Sequence, residues 1–121
     1  MSNLVKFEVP EKLMQEQLAV VEKAKGKGKI KVGVNEVTKA IERGVAKLVL
    51  IAEDVSPPEI VMHLPLLCKE KNVPVSVVQT KKALGEKTGI AVSTAAIAIL
   101  DEGDAKKELA EVVKKITELA K

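Results

Sequence analysis

Apolar residues recur along this chain in two rhythms, one near 3.6 residues and one near two, and the two alternate from end to end. Residues 1 to 10 carry no clear period and read as surface chain. From Glu11 to Lys25, Met14, Leu18 and Val21 return at helical spacing, with Pro10 just before and Gly26 just after as start and stop signals. The pattern predicts a helix followed by a hinge at Gly26, Lys27 and Gly28. Ile30 and Val32 then alternate with lysines over Lys29 to Val32, as in a strand. After Gly33 a helix is predicted over Asn35 to Arg43, ended by Gly44. Lys47 to Ala52 follows as a strand whose unbroken apolar run marks it as covered on both faces, and it is the expected central strand.

Pro57 and Pro58 open a further predicted helix in which Ile60, Val61, Leu64, Leu67 and Cys68 share a face, with Pro65 set to kink or restart it. Val73 to Val78 reads as a strand, Lys81 to Glu86 as a short helix, and Gly89 to Ser93 as a loop. Ala95 to Leu100 is another apolar strand. Asp104 is the expected cap of a last helix carrying Leu109, Val112, Val113, Ile116 and Leu119. Such alternation predicts the α/β class, with a three-layer α/β/α sandwich around a central mixed sheet. A chain of 121 residues without repeat or linker fits one domain spanning residues 1–121.

Composition narrows the function. Hydrophobic residues at 46% and charged residues at 31% belong to a compact protein rather than a disordered tail. No apolar run has the length of a membrane span and the N-terminus lacks a signal-peptide pattern, which points to the cytoplasm and away from membranes. Cys68 is the only cysteine, so neither an intrachain disulfide nor a cysteine-based zinc site is available. Phe7 is the only aromatic residue, which argues against proteins that stack successive bases on aromatic platforms. Net charge is only +3, yet Lys23, Lys25, Lys27, Lys29 and Lys31 crowd into nine positions. That row reads as a phosphate-facing edge, or equally as a solvated helix end and a strand edge guarded against pairing.

The helix after Gly33 holds the candidate chemistry. At about 100° per residue, setting Asn35 at zero places Lys39 near ~40°, Arg43 near ~80° and Glu36 near ~100°. Val37, Ala40 and Ile41 fall between roughly 140° and 240°, the arc that faces a sheet. The polar quadrant is therefore exposed. Asn35 by itself could be an N-cap, and Glu36 with Lys39 an ordinary helix pair. Together the four side chains form a mixed donor and acceptor surface beside a helix N-terminus, suited to base edges and phosphates. Catalysis finds little support. His63 and Cys68 are five residues apart and diverge around a helix, Gly26 to Lys29 lacks the spacing of a phosphate-binding loop, and Glu53 with Asp54 is too small a set for a metal. No cofactor is expected.

Gly33 to Val55 (GVNEVTKAIERGVAKLVLIAEDV), His63 to Cys68 (HLPLLC) and Ala96 to Ala105 (AIAILDEGDA) strongly resemble the archaeal large-subunit ribosomal protein of the kink-turn-binding family. The resemblance covers nearly the whole chain. It implies a non-catalytic RNA-binding protein that is also a core subunit of box C/D and H/ACA guide ribonucleoproteins. It implies that Asn35 and Glu36 read the guanines of tandem sheared G·A pairs, that Lys39 meets a base edge or phosphate, and that Arg43 supports the backbone. Gly33 would let the chain approach the RNA, and Ile90, Ala91 and Val92 would pack on a flipped-out nucleotide. Implied partners are ribosomal RNA, box C/D and H/ACA guide RNA, ribonuclease P RNA, and proteins such as fibrillarin with its scaffold subunit. Two departures stand out. Val32 occupies a position where many members carry lysine, which leaves that phosphate contact to Lys29 and Lys31, and the loop reads Ile-Ala-Val-Ser rather than the Val-Ser-Arg-Pro-like form of eukaryotic relatives. A protein-interaction scaffold with only generic RNA affinity is the alternative reading.

Overall fold

The computed structural model describes residues 8–89 and 93–119. In chain order the elements are α1 (Glu11–Lys27), β1 (Lys29–Val32), α2 (Val34–Glu42), β2 (Leu48–Ala52), a 3-10 turn (Pro58–Ile60), α3 (His63–Glu70), β3 (Val75–Val78), α4 (Lys81–Thr88), β4 (Ala96–Asp101) and α5 (Lys106–Leu119). The strands form one mixed sheet in the order β1-β4-β2-β3. β4 runs antiparallel to both β1 and β2, while β2 and β3 are parallel. β2 is central, as its composition predicts, and shares the middle of the sheet with β4.

All five residues of β2 and the first four of β4 are inaccessible to solvent, which requires a helix layer on each face of the sheet. α1 lies across β1, β4 and β3 with α4 and α5 beside it, while α2 packs on β1 and β4 with α3 as its neighbour. The result is the expected three-layer sandwich. Among the described residues, no helix is long and apolar enough to cross a membrane.

Four local expectations change. α1 does not stop at Lys25 but continues through Gly26 and Lys27, because Gly26 is exposed and unconstrained whereas Gly28 is pressed against β4. A Cβ on Gly28 would run into the Asp101 carbonyl oxygen and the Gly103 amide, so Gly28 is the glycine that the turn needs. The helix expected after Pro57 divides into the 3-10 turn and α3, leaving Ile60 about half exposed while Val61, Leu64 and Cys68 are buried. Pro65 sits in the first turn of α3, where no intrahelical acceptor awaits its missing N–H, and the helix passes through it. Asp104 does not cap α5. The Ala105 carbonyl accepts the first helical bond from Leu109 N, and Asp104 pairs instead with Lys27 at 3.2 Å.

That pair joins α1 to the turn before α5, and among the described residues Lys23–Glu108 at 3.1 Å and Lys115–Glu16 at 2.9 Å join α1 to α5 itself. Exposed pairs of this kind contribute at most about 1 kcal/mol each. At the end of the sheet away from Gly33, Lys47 Nζ donates to Glu102 Oε1 at 2.7 Å. The bond holds that carboxyl below its ordinary range and the ammonium above its own.

Cys68 is fully buried, and desolvation pushes its thiol up to about 12. Because the thiolate is the reactive species, native protein at neutral pH should resist a maleimide reagent, and one thiol per chain should label after unfolding in guanidinium. Rapid labelling under native conditions would contradict this packing.

Candidate nucleic-acid interface

Gly33 makes the site. Its φ of +98° and ψ of 150° lie in a region open essentially to glycine alone. The residue thereby turns β1 directly into α2 without an intervening loop. Its N–H still belongs to the sheet, donating to Ala96 O at 2.9 Å, while its carbonyl already belongs to the helix, accepting from Val37 N at 2.9 Å. The amides of Val34, Asn35 and Glu36 precede that first helical bond and have no acceptor within the helix. They form the positive end of the α2 dipole. Among the described residues, its two chain neighbours aside, nothing comes within 4 Å of a Cβ on Gly33, which leaves an open approach to these amides.

Gly33, not Asn35, is the N-cap, and no side chain caps α2. The capping explanation for Asn35 falls away, since Asn35 is the second residue of the helix and is exposed in its first turn. Val37, Ala40 and Ile41 are buried, as the wheel predicts, and Asn35, Glu36, Lys39 and Arg43 are all exposed. Glu36 Oε1 and Lys39 Nζ are 3.8 Å apart. An exposed (i, i+3) contact of that length contributes about 0.3–0.5 kcal/mol, little enough for both groups to turn to a ligand. Arg43 closes the helix roughly 12 Å from Asn35.

The row of five lysines does not act as one patch. Lys23 and Lys27 are engaged by Glu108 and Asp104. Lys29 and Lys31 lie on β1, an edge strand, opposite Asp101 and Ala98. Lys31 is two residues from Gly33, whereas Lys29 is four residues away at the far end of the strand, about 13 Å along it. Both positions also suit the edge-guarding role. Ile90, Ala91 and Val92 lie outside the described residues. On the two sides of them, Gly89 ends α4 in a left-handed conformation and Thr94 returns the chain to β4.

One contact at this end has no signal in the sequence beyond the i+4 spacing of Thr38 from Val34. Thr38 Oγ1 donates to Val34 O at 2.8 Å and lies 2.9 Å from His63 Nε2. Its single proton is committed to the carbonyl, so the histidine donates to the hydroxyl and ties α3 to α2. His63 is thus surface-exposed and engaged, and Cys68 is buried elsewhere on α3. They do not form a nucleophile and base. Asp54 accepts from Lys81 N at 2.8 Å. Among the described residues, no three histidine, cysteine, aspartate or glutamate side chains converge as a metal site.

An α/β/α sandwich that presents exposed polar side chains along one glycine-led helix defines a small α/β domain with a candidate recognition face. The chain belongs to the ribosomal protein L7Ae/L30e/S12e/Gadd45 family, whose sequence model matches residues 15–115. Among solved structures it is similar to the Giardia lamblia 15.5kD RNA binding protein, at 36% identity and a TM-score of 0.90 over 98% of this chain and 99% of that one.

Proposed function

We propose that this protein, acting as one domain over residues 1–121, recognises kink-turn and kink-loop RNA containing tandem sheared G·A pairs and stabilises the bent form. The observation that carries the reading is the Gly33 junction, which presents free amides, the Asn35 amide and the Glu36 carboxylate at one open helix end. Sheared G·A pairs turn guanine donor edges toward the groove, and a carboxylate accepts from such donors. Lys39, Arg43 and Lys31, with Lys29 farther out, add phosphate contacts and a salt-dependent term. The loop of Ile90, Ala91 and Val92 supplies an apolar platform. The structurally similar Giardia lamblia protein is an RNA binding protein, which supports the same reading.

Binding only the kinked form shifts a free RNA that populates extended and kinked states. In the cell, the partners under this reading are ribosomal RNA, box C/D and H/ACA guide RNAs and ribonuclease P RNA, together with fibrillarin and its scaffold subunit, in the cytoplasm. Competition at fixed salt tests it. Unlabelled kink-turn should displace a labelled kink-turn from the protein, whereas a plain duplex of equal length and charge should not. Equal displacement by both would reduce the interaction to electrostatics and favour the scaffold reading.

A further inference from the structure

Gly33 can present the α2 amides only if its own N–H stays fixed, and that N–H is held by a single acceptor, Ala96 O. The same carbonyl accepts a second hydrogen bond, from Thr94 Oγ1 at 3.1 Å. Thr94 is only 6% exposed, so water does not readily replace its hydroxyl. Its amide donates to Lys81 O at 3.2 Å at the start of α4, and Asp54 Oδ1 accepts from the Lys81 amide at 2.8 Å. The neighbouring Ala95 carbonyl accepts from Ala52 N at 2.9 Å. Thr94 therefore stands where α4, β2 and β1 meet, and its hydroxyl fills the remaining lone pair of the carbonyl that anchors Gly33.

We infer that Thr94 is a positioning residue for recognition, fixing the Ala96 carbonyl so that the Gly33 turn aims the first turn of α2. This deepens the kink-turn reading and rests on it. With the hydroxyl absent, the carbonyl is held from one side only and tilts. The Gly33 amide follows it, and Asn35 and Glu36, two and three residues on, lose their shared aim. Lysine contacts to phosphate tolerate such a shift, because a point charge on a flexible stem requires little geometry. Specificity should therefore fall while the salt-dependent part of binding stays.

The test uses the full chain with Thr94→Val, which keeps the shape and removes the donor, Thr94→Ala as a second variant lacking the hydroxyl, and Thr94→Ser, which restores it. Each is titrated into a kink-turn and into the same RNA with Watson–Crick pairs in place of the sheared pairs. The affinity ratio should drop about tenfold in the valine and alanine variants, the effect of one buried hydrogen bond. The slope of log affinity against log salt should be unchanged, and serine should recover the ratio. Amide exchange at Gly33, measured without RNA, should be faster in both hydroxyl-free variants and native-like in the serine variant. A retained ratio in a folded hydroxyl-free variant overturns the inference, as does unchanged Gly33 exchange. If wild-type protein itself shows no discrimination, the kink-turn reading fails, and Gly33 exchange still decides whether Thr94 holds the turn.

Discussion

Replacing Glu36 by alanine is expected to weaken binding to a kink-turn by about 1–3 kcal/mol, one to two orders of magnitude in Kd, the range of a good base contact. The same substitution should leave affinity for a plain duplex unchanged or slightly higher. The two effects differ because the carboxylate has two roles. Toward a guanine edge it is an acceptor that no alanine replaces. Toward phosphate it is a like charge, and its removal also frees Lys39, now 3.8 Å away, from its partner. The polar groups at this helix end are exposed and α2 has its hydrophobic anchors on the opposite side, so the fold should not register the change. Paired titrations at one salt concentration check this. Equal losses on both RNAs would remove Glu36 from the recognition surface.

Gly33→Val should cost the fold about 1–3 kcal/mol, because a β-branched residue is strained at a φ of +98°. In a chain of this size that is a fall in Tm of roughly 5–10 °C. The protein should still fold, since among the described residues, chain neighbours aside, nothing lies within 4 Å of the new Cβ. RNA recognition should suffer more than stability. The branched side chain projects into the open approach to the α2 amides, and relief of the backbone strain would move the helix start. Gly44, also at positive φ (+71°) but at the other end of α2, supplies the control. Gly44→Ala should lower Tm and keep discrimination between kink-turn and duplex. Thermal melts and paired titrations read both variants. A Gly33→Val protein with native discrimination would show that the glycine serves the turn alone.

The layers of the fold were legible because their signals are local. Leu48 to Ala52 and Ala96 to Ile99 are apolar without interruption, and they are the strands covered on both faces. The burial of Val37, Ala40 and Ile41 follows from helical periodicity, and the exposure of Asn35, Glu36, Lys39 and Arg43 is its complement. What stayed hidden depends on close approach between distant segments. Gly26 and Gly28 are equivalent by composition, and only β4 lying against Gly28 tells them apart. Asn35 is a good capping residue, but the glycine two positions earlier already takes the turn. The lysine row looks continuous until α5 and the turn before it bring Glu108 and Asp104 to two of its members. Thr94 and His63 carry no pattern of their own, since each acts through a partner far along the chain.

Kink-turn recognition is tested by a titration of purified protein into a kink-turn carrying a fluorophore on each arm, beside the same RNA with both sheared G·A pairs replaced by Watson–Crick pairs, at fixed salt. Selective recognition of the kinked form should give tight binding with a fall in end-to-end distance for the first RNA only. Equal, weak binding to both, with no change in distance, would contradict it.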